Sequence, residues 1–134
     1  MPFANWFKQK PVPLTGAPAI RRMKTYSAQT GYVYQYYYEG HRPFRAKGDA
    51  GVEFVFRVSA DRKAWNPVVV RLADGTIGGW QAAHSRELSS TEQYAIAKMA
   101  LFQAFDERPA PADMKDEVNV RRADLETILD TLDL

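Results

Sequence analysis

Two histidines, His41 and His84, are the only side chains in this chain whose ordinary pKa lies near neutrality. His84 and Glu87 stand three residues apart and would share one face of a helix. Two ligands do not make a zinc site, which takes three or four. The chain has no cysteine, which excludes disulfides, thiolate metal sites and cysteine nucleophiles. Ser85 and Ser90 carry no nucleophile-elbow motif around them. Asp106 and Glu107 are adjacent, and adjacent side chains on a helix point apart, so they make no natural acid–base pair. Gly78-Gly79 lacks the Gly-Lys-Ser/Thr of a phosphate loop. No metal and no cofactor are expected. A non-catalytic protein is the leading expectation, with an enzyme assembled from scattered residues as the alternative.

Binding chemistry is easier to find. Residues 40–51 place His41, Arg42, Arg45 and Lys47 among Gly40, Pro43, Gly48 and Gly51, which predicts a long basic loop. Loops on rigid sheets often carry function. Gln35 and Tyr37 lie just before it, and Arg62 and Lys63 lie in the next turn. Together, Gln35, Tyr37, His41, Arg42, Arg45, Lys47, Arg62 and Lys63 form the candidate binding edge. Charge is unevenly spread: residues 1–72 hold twelve Lys/Arg against four Asp/Glu, and residues 73–134 hold six against twelve. Such asymmetry fits an anionic partner for the first half. It fits equally well two halves that attract each other, within one chain or across a dimer.

The elements that must carry these residues start with residues 30–39, Thr-Gly-Tyr-Val-Tyr-Gln-Tyr-Tyr-Tyr-Glu, which hold five of the seven tyrosines. Aromatic and β-branched residues favour strands, whose side chains alternate with a period of two. Tyr32, Tyr34, Tyr36 and Tyr38 therefore share one face, and Val33, Gln35, Tyr37 and Glu39 the other. The same phase extends back to Tyr26, which predicts one long strand with a bulge at Gly31. The even face reads as core, each buried hydroxyl needing a partner, or as a stacking platform for bases. Residues 52–59 form a second strand, with Val52, Phe54, Phe56 and Val58 inward. Residues 67–72 form a third, with Val68, Val70 and Leu72 inward. Short links predict an antiparallel meander covered on one face.

Asp74-Gly75 reads as a turn and Gly78-Gly79 as a break. Residues 80–86 fit a short helix, with Trp80, Ala83 and Leu88 inward. Residues 89–108 are the strongest helix, opened by a Ser89–Glu92 capping box. Its apolar positions spread beyond one face, so it must be buried on more than one side. Residues 118–120 fit a short edge strand. Residues 122–132 fit an amphipathic helix, with Leu125, Ile128, Leu129 and Leu132 on one face.

The fold expected is therefore α+β. A three- or four-stranded antiparallel meander has one face covered by a long central helix, with a C-terminal amphipathic helix beside it. The order strand, strand, strand, helix resembles the latter part of a double-stranded-RNA-binding domain. Here, however, the helix opens Ser-Ser-Thr-Glu-Gln, where a lysine-rich start would grip phosphates. Residues 1–24 read as a Pro-rich arm, with Phe3, Trp6 and Phe7 as a docking element. Residues 25–134 read as a single domain. With no signal peptide or membrane-spanning run, a soluble cytoplasmic protein is expected.

Three functions follow from this reading. The first is a non-catalytic assembly module, with a protein partner or a second copy covering the surplus apolar surface of the long helix. The second is a nucleic-acid binder using the basic loop and the tyrosine strand. The third is a small-molecule binder or enzyme with tyrosine hydroxyls lining a pocket between sheet and helix.

Overall fold

The structure, a computed structural model, describes residues 12–134. The Phe3, Trp6 and Phe7 docking element lies outside the described residues. The chain is α+β, and the described residues form a five-stranded mixed sheet and three α-helices. Strands β1 (Lys24–Ser27), β2 (Val33–Ala46), β3 (Asp49–Ser59) and β4 (Asn66–Ala73) form the expected antiparallel meander. A fifth strand, β5 (Val118–Asn119), pairs parallel with β4, so the sheet is mixed and larger than the three or four antiparallel strands expected. The helices are α1 (Asp74–His84), α2 (Ser90–Glu107) and α3 (Arg122–Thr131).

The alternation of the tyrosine run holds. Tyr34 and Tyr36 are buried beneath α2, and Tyr38 is half-buried beside them. The rings interlock with the helix: Tyr34 stacks on Phe105 at 4.3 Å, Tyr26 on Phe102 at 4.5 Å, and Tyr38 meets Tyr94 at 4.7 Å. Offset aromatic pairs at these separations add to area burial. The even face is therefore core along most of its length, and Tyr32 at its start is exposed.

The expected single strand through Gly31 is instead a hairpin. Tyr26 pairs with Tyr34 across β1 and β2, and Gly31, at φ 95°, sits in the turn between them. The bulge lies further on, between Tyr38 and Gly40. The long basic loop at 40–51 is also corrected. β2 continues through it to Ala46, and the connection is only Lys47-Gly48, both at positive φ. A two-residue turn with both φ positive matches the twist of the paired strands, so Lys47 and Gly48 close the hairpin and Pro43 is accommodated in its ladder.

The expected turn at Gly75 and break at Gly78-Gly79 both fall inside α1. Ile77 and Trp80 bury one side of this helix against the core, and that packing outweighs the low helix propensity of three glycines. Gly79 faces the Arg122 guanidinium, whose nearest nitrogen would lie 2.6 Å from an added Cβ. α1 ends at His84, so Glu87 is not on its face, and Ala83 is exposed rather than inward. Leu88 is buried as expected.

α2 has the expected capping box: the Glu92 amide donates to Ser89 Oγ at 3.1 Å, and the Ser89 amide donates to Glu92 Oε1 at 2.9 Å. Its surplus apolar surface is covered within the chain. Ile96, Ala97, Ala100, Leu101, Ala104 and Phe105 are all buried, against the sheet on one side and α3 on another. α3 contributes Leu125, Ile128 and Leu129 to the same core. None of the exposed large hydrophobic residues among the described residues belongs to α2. No helix among them is long and apolar enough to cross a membrane.

Candidate functional site

The bulge in β2 is the local event from which the site follows. Tyr38 pairs with Phe56, and Gly40 with the next residue back, Val55, so Glu39 is the extra residue. One extra residue reverses the alternation. Before the bulge the even residues face α2. After it His41, paired with Phe54, takes that face, while Arg42, paired with Glu53, takes the other. Gly40 is at φ 129°, and its missing Cβ leaves room for the Thr15 carbonyl, which an added Cβ would meet at 2.6 Å. The arm docks at this point: Thr15 and His41 exchange two backbone hydrogen bonds, of 2.9 and 2.8 Å. Gly16 completes the fit, because a Cβ there would strike the His41 ring at 2.6 Å.

Between this docked arm, the inner face of β2 and β3, and the start of α2 lies a groove of about 570 Å³. Its floor is aromatic and aliphatic: Tyr36, Tyr38, Tyr94, Phe54 and Val52. Its rim carries Arg22 and Lys24 from the arm and β1, and Ser90 and Thr91 from the first turn of α2. No aspartate or glutamate lines it.

The tyrosine phenols here are held away from proton-transfer chemistry. Burial pushes the Tyr38 phenol up to about 12, helped by nearby Tyr94. Burial also raises Tyr36 and Tyr94. The His41 ring is bracketed, with Nδ1 3.1 Å from the Tyr38 hydroxyl and Nε2 3.4 Å from Thr15 Oγ1. Lys98 lies one turn beyond Tyr94 on α2. Burial lowers its pKa below the ordinary lysine value, and the adjoining Lys24 ammonium lowers it further. Neither lysine, nor Arg22, forms an ion pair among the described residues.

At the other end of the tyrosine face, Asp106 fastens β1 to α2. It accepts from the Tyr26 hydroxyl at 2.6 Å and from the Gln29 amide at 2.9 Å. Burial first, and this carboxylate second, push Tyr26 up to about 12. A phenol raised in the folded state stays neutral there while the unfolded chain ionises from about pH 10. Folding stability is therefore full below pH 10 and falls between 10 and 12. Alkaline titration followed at the phenolate absorbance band should show Tyr26 and Tyr38 ionising about two pH units late. Asp106→Asn should bring Tyr26 part of the way back, and a titration curve unchanged by it would contradict the assigned partner. The Tyr34 hydroxyl finds no partner among the described residues, unlike those of Tyr26 and Tyr38.

The eight residues of the expected binding edge do not form one surface. Only Tyr37 and His41 line the groove. Gln35 is buried on the outer face and accepts from Thr25 Oγ1 at 2.8 Å. Tyr37 also packs on Trp65 at 5.4 Å. Arg42 is 3.7 Å from the buried Glu53. Arg45 and Lys47 are exposed at the Lys47-Gly48 end of the β2–β3 hairpin. Arg62 and Lys63 are exposed in the turn at the far end of β3, where their amides bond Ser59 Oγ and Asp61 Oδ1. At the usual strand rise those two ends are roughly 30 Å apart. Of the ion pairs among the described residues, Arg71–Glu117 joins the basic and acidic halves of the chain.

His84 stacks on Trp80 at 4.5 Å and lies 3.3 Å from Glu126, with no group of three metal-ligating side chains among the described residues. The lining residues missed as site residues are Arg22, Lys24, Tyr36, Tyr38 and Tyr94. Only Tyr36 and Tyr38 carried a signal in the sequence, the even phase of the tyrosine run, which marked them as core and, for a sheet–helix pocket, as lining. Comparison with models of known protein families matches none of them, and comparison with curated proteins and with solved structures gives no match either.

Proposed function

We propose that this protein is a non-catalytic binding module whose ligand site is the groove beneath the start of α2. One observation carries the reading: an aromatic groove of about 570 Å³ opens between sheet and helix, in the size range of small-molecule sites. Its three buried phenols favour binding over catalysis. General acid–base catalysis works best with a pKa near the operating pH, and burial moves the Tyr36, Tyr38 and Tyr94 phenols away from it.

Two other readings find less support. The assembly reading began from uncovered apolar surface on the long helix, and that surface packs within the chain. The nucleic-acid reading needs cations along one track beside stacking rings. Arg42 is engaged with Glu53, and the exposed cations divide between two ends of the sheet.

The test is a fluorescence titration with N-phenyl-1-naphthylamine, a neutral apolar probe, on wild-type protein and on Val52→Trp. Val52 lines the groove and is only half-buried, so the larger ring fills the site while the sheet is retained. Saturable one-to-one binding is expected for wild type. A loss of about tenfold or more is expected for the variant, with an unchanged circular dichroism spectrum. Non-saturable binding, or equal affinity in both proteins, would remove the groove as a site.

A further inference from the structure

We infer that the groove selects small amphipathic organic anions, a flat or chain-like apolar body ending in one carboxylate or sulfonate, with Lys24, Lys98 and Arg22 receiving the charged end. This rests on the binding-module reading and specifies its ligand.

Charge complementarity carries the inference. Lys24 lines the apolar groove beside Arg22, and Lys98, behind the lining, stands close enough for its ammonium group to interact with that of Lys24. Lys24 is exposed and Lys98 half-buried, and two like charges held together favour an opposite charge beside them. The chain does not supply one. No carboxylate lines the groove, and neither lysine is ion-paired among the described residues. Residues 1–11 contain no aspartate or glutamate, so they bring no carboxylate side chain to it. Elsewhere the same sheet does pair its cations: Arg57 with Glu39 at 3.1 Å, and Arg42 with Glu53 at 3.7 Å. Two cations without an ion pair among the described residues, Arg22 and Lys24, thus stand on the rim of the groove.

The chemistry of the walls narrows the class further. Four tyrosines around a cavity also suit a quaternary ammonium, through cation–π contacts. Here Arg22 and Lys24 on the rim oppose a cationic ligand. The Tyr36, Tyr38, Tyr94 and Phe54 rings offer stacking and apolar contact to a neutral body. The Ser90 and Thr91 hydroxyls at the start of α2 add donors suited to an anion.

A matched pair of probes separates this inference from the reading it rests on. N-phenyl-1-naphthylamine and 1-anilinonaphthalene-8-sulfonate share one aromatic body and differ by the sulfonate. Lys24→Gln combined with Lys98→Gln should weaken the sulfonate probe about tenfold or more and change the neutral probe by less than about twofold. Sulfonate affinity of the wild type should also fall as salt rises, with the neutral probe insensitive. Arg22→Gln, at an exposed position, gives a second variant should the lysine pair prove necessary for folding. It should weaken only the sulfonate probe.

If both probes bind and the substitutions weaken them equally, or neither, the anion inference is overturned while the groove stands as an apolar site. If neither probe binds, both the groove reading and the inference fail. Displacement of the sulfonate probe by a short single-stranded oligonucleotide at equal concentration would overturn the small-anion class in favour of nucleic acid.

Discussion

Phe105→Ala should lower folding stability by about 3–5 kcal/mol, read as a shift of the urea midpoint at constant slope. Phe105 is fully buried and joins the long helix to three tyrosines of the sheet. Its ring stacks on Tyr34 at 4.3 Å and lies 5.5 Å from Tyr26 and 6.2 Å from Tyr36. Removing it loses the transfer energy of a large side chain and leaves a cavity whose walls are flat rings on two strands. Such walls close poorly, because each ring is fixed by its own strand and its own neighbours. Relaxation would have to move the β1–β2 hairpin, which Asp106 fastens to α2 through the Tyr26 hydroxyl and the Gln29 amide. A loss below about 1 kcal/mol would mean that α2 does not organise the core.

Gly51→Val should cost about 3 kcal/mol or more, at the upper end for overpacked sites. The obstacle is backbone, not side chain. A Cβ at Gly51 would come within 2.3 Å of the Leu72 carbonyl oxygen and 2.8 Å of Ala73 Cα. β3 and β4 would have to separate where they are hydrogen-bonded. Gly78→Ala is the matching control: Gly78 is exposed within α1, and nothing lies within 4 Å of an added Cβ. That change should raise stability by about 0.5–1 kcal/mol, through helix propensity and a less flexible unfolded chain. Equal effects at the two positions in urea melts would show that the close approach of β3 and β4 is wrong.

These two glycines also show how much was legible in the sequence. A glycine tells of freedom in the backbone but not of what stands beside it. Gly51 was read as the end of a loop and lies inside a strand, and Gly75, Gly78 and Gly79 were read as breaks and lie inside a helix. Where a periodic apolar pattern stayed within one element the reading held, whereas the period-two run carried back to Tyr26 crosses a hairpin turn. The inward faces of β3 and β4, the capped α2, the short strand near Val118 and the apolar stripe of α3 were all visible in spacing alone. Periodicity is a local signal, set by the pleat of a strand or the turn of a helix.

The groove is not local. Tyr38 and Tyr94 meet across fifty-six positions of chain, and Lys24 reaches Lys98 across more. Composition marked the tyrosine face as apolar without saying where α2 would leave it uncovered. The basic residues of the expected edge misled for a different reason. Their closeness in sequence was taken for closeness in space, whereas strand alternation turns His41 and Arg42 to opposite faces and the length of β3 separates Lys47 from Arg62.

That bulge makes the count of residues between Tyr38 and His41 a specification in itself. Pairing Glu39 and Gly40 regularly, with no residue looped out, would re-deal every side chain beyond them. Arg42 and Phe44 would turn toward α2, and His41 and Pro43 away from it, with no change in composition. The tip at Lys47-Gly48 is under no such constraint, since it lies beyond the last paired residues, Ala46 and Asp49. An inserted residue should therefore be tolerated at the tip of the hairpin and purged at its waist, where it would shift the faces. Two chains of equal make-up but different spacing there would present different chemistry to the same ligand.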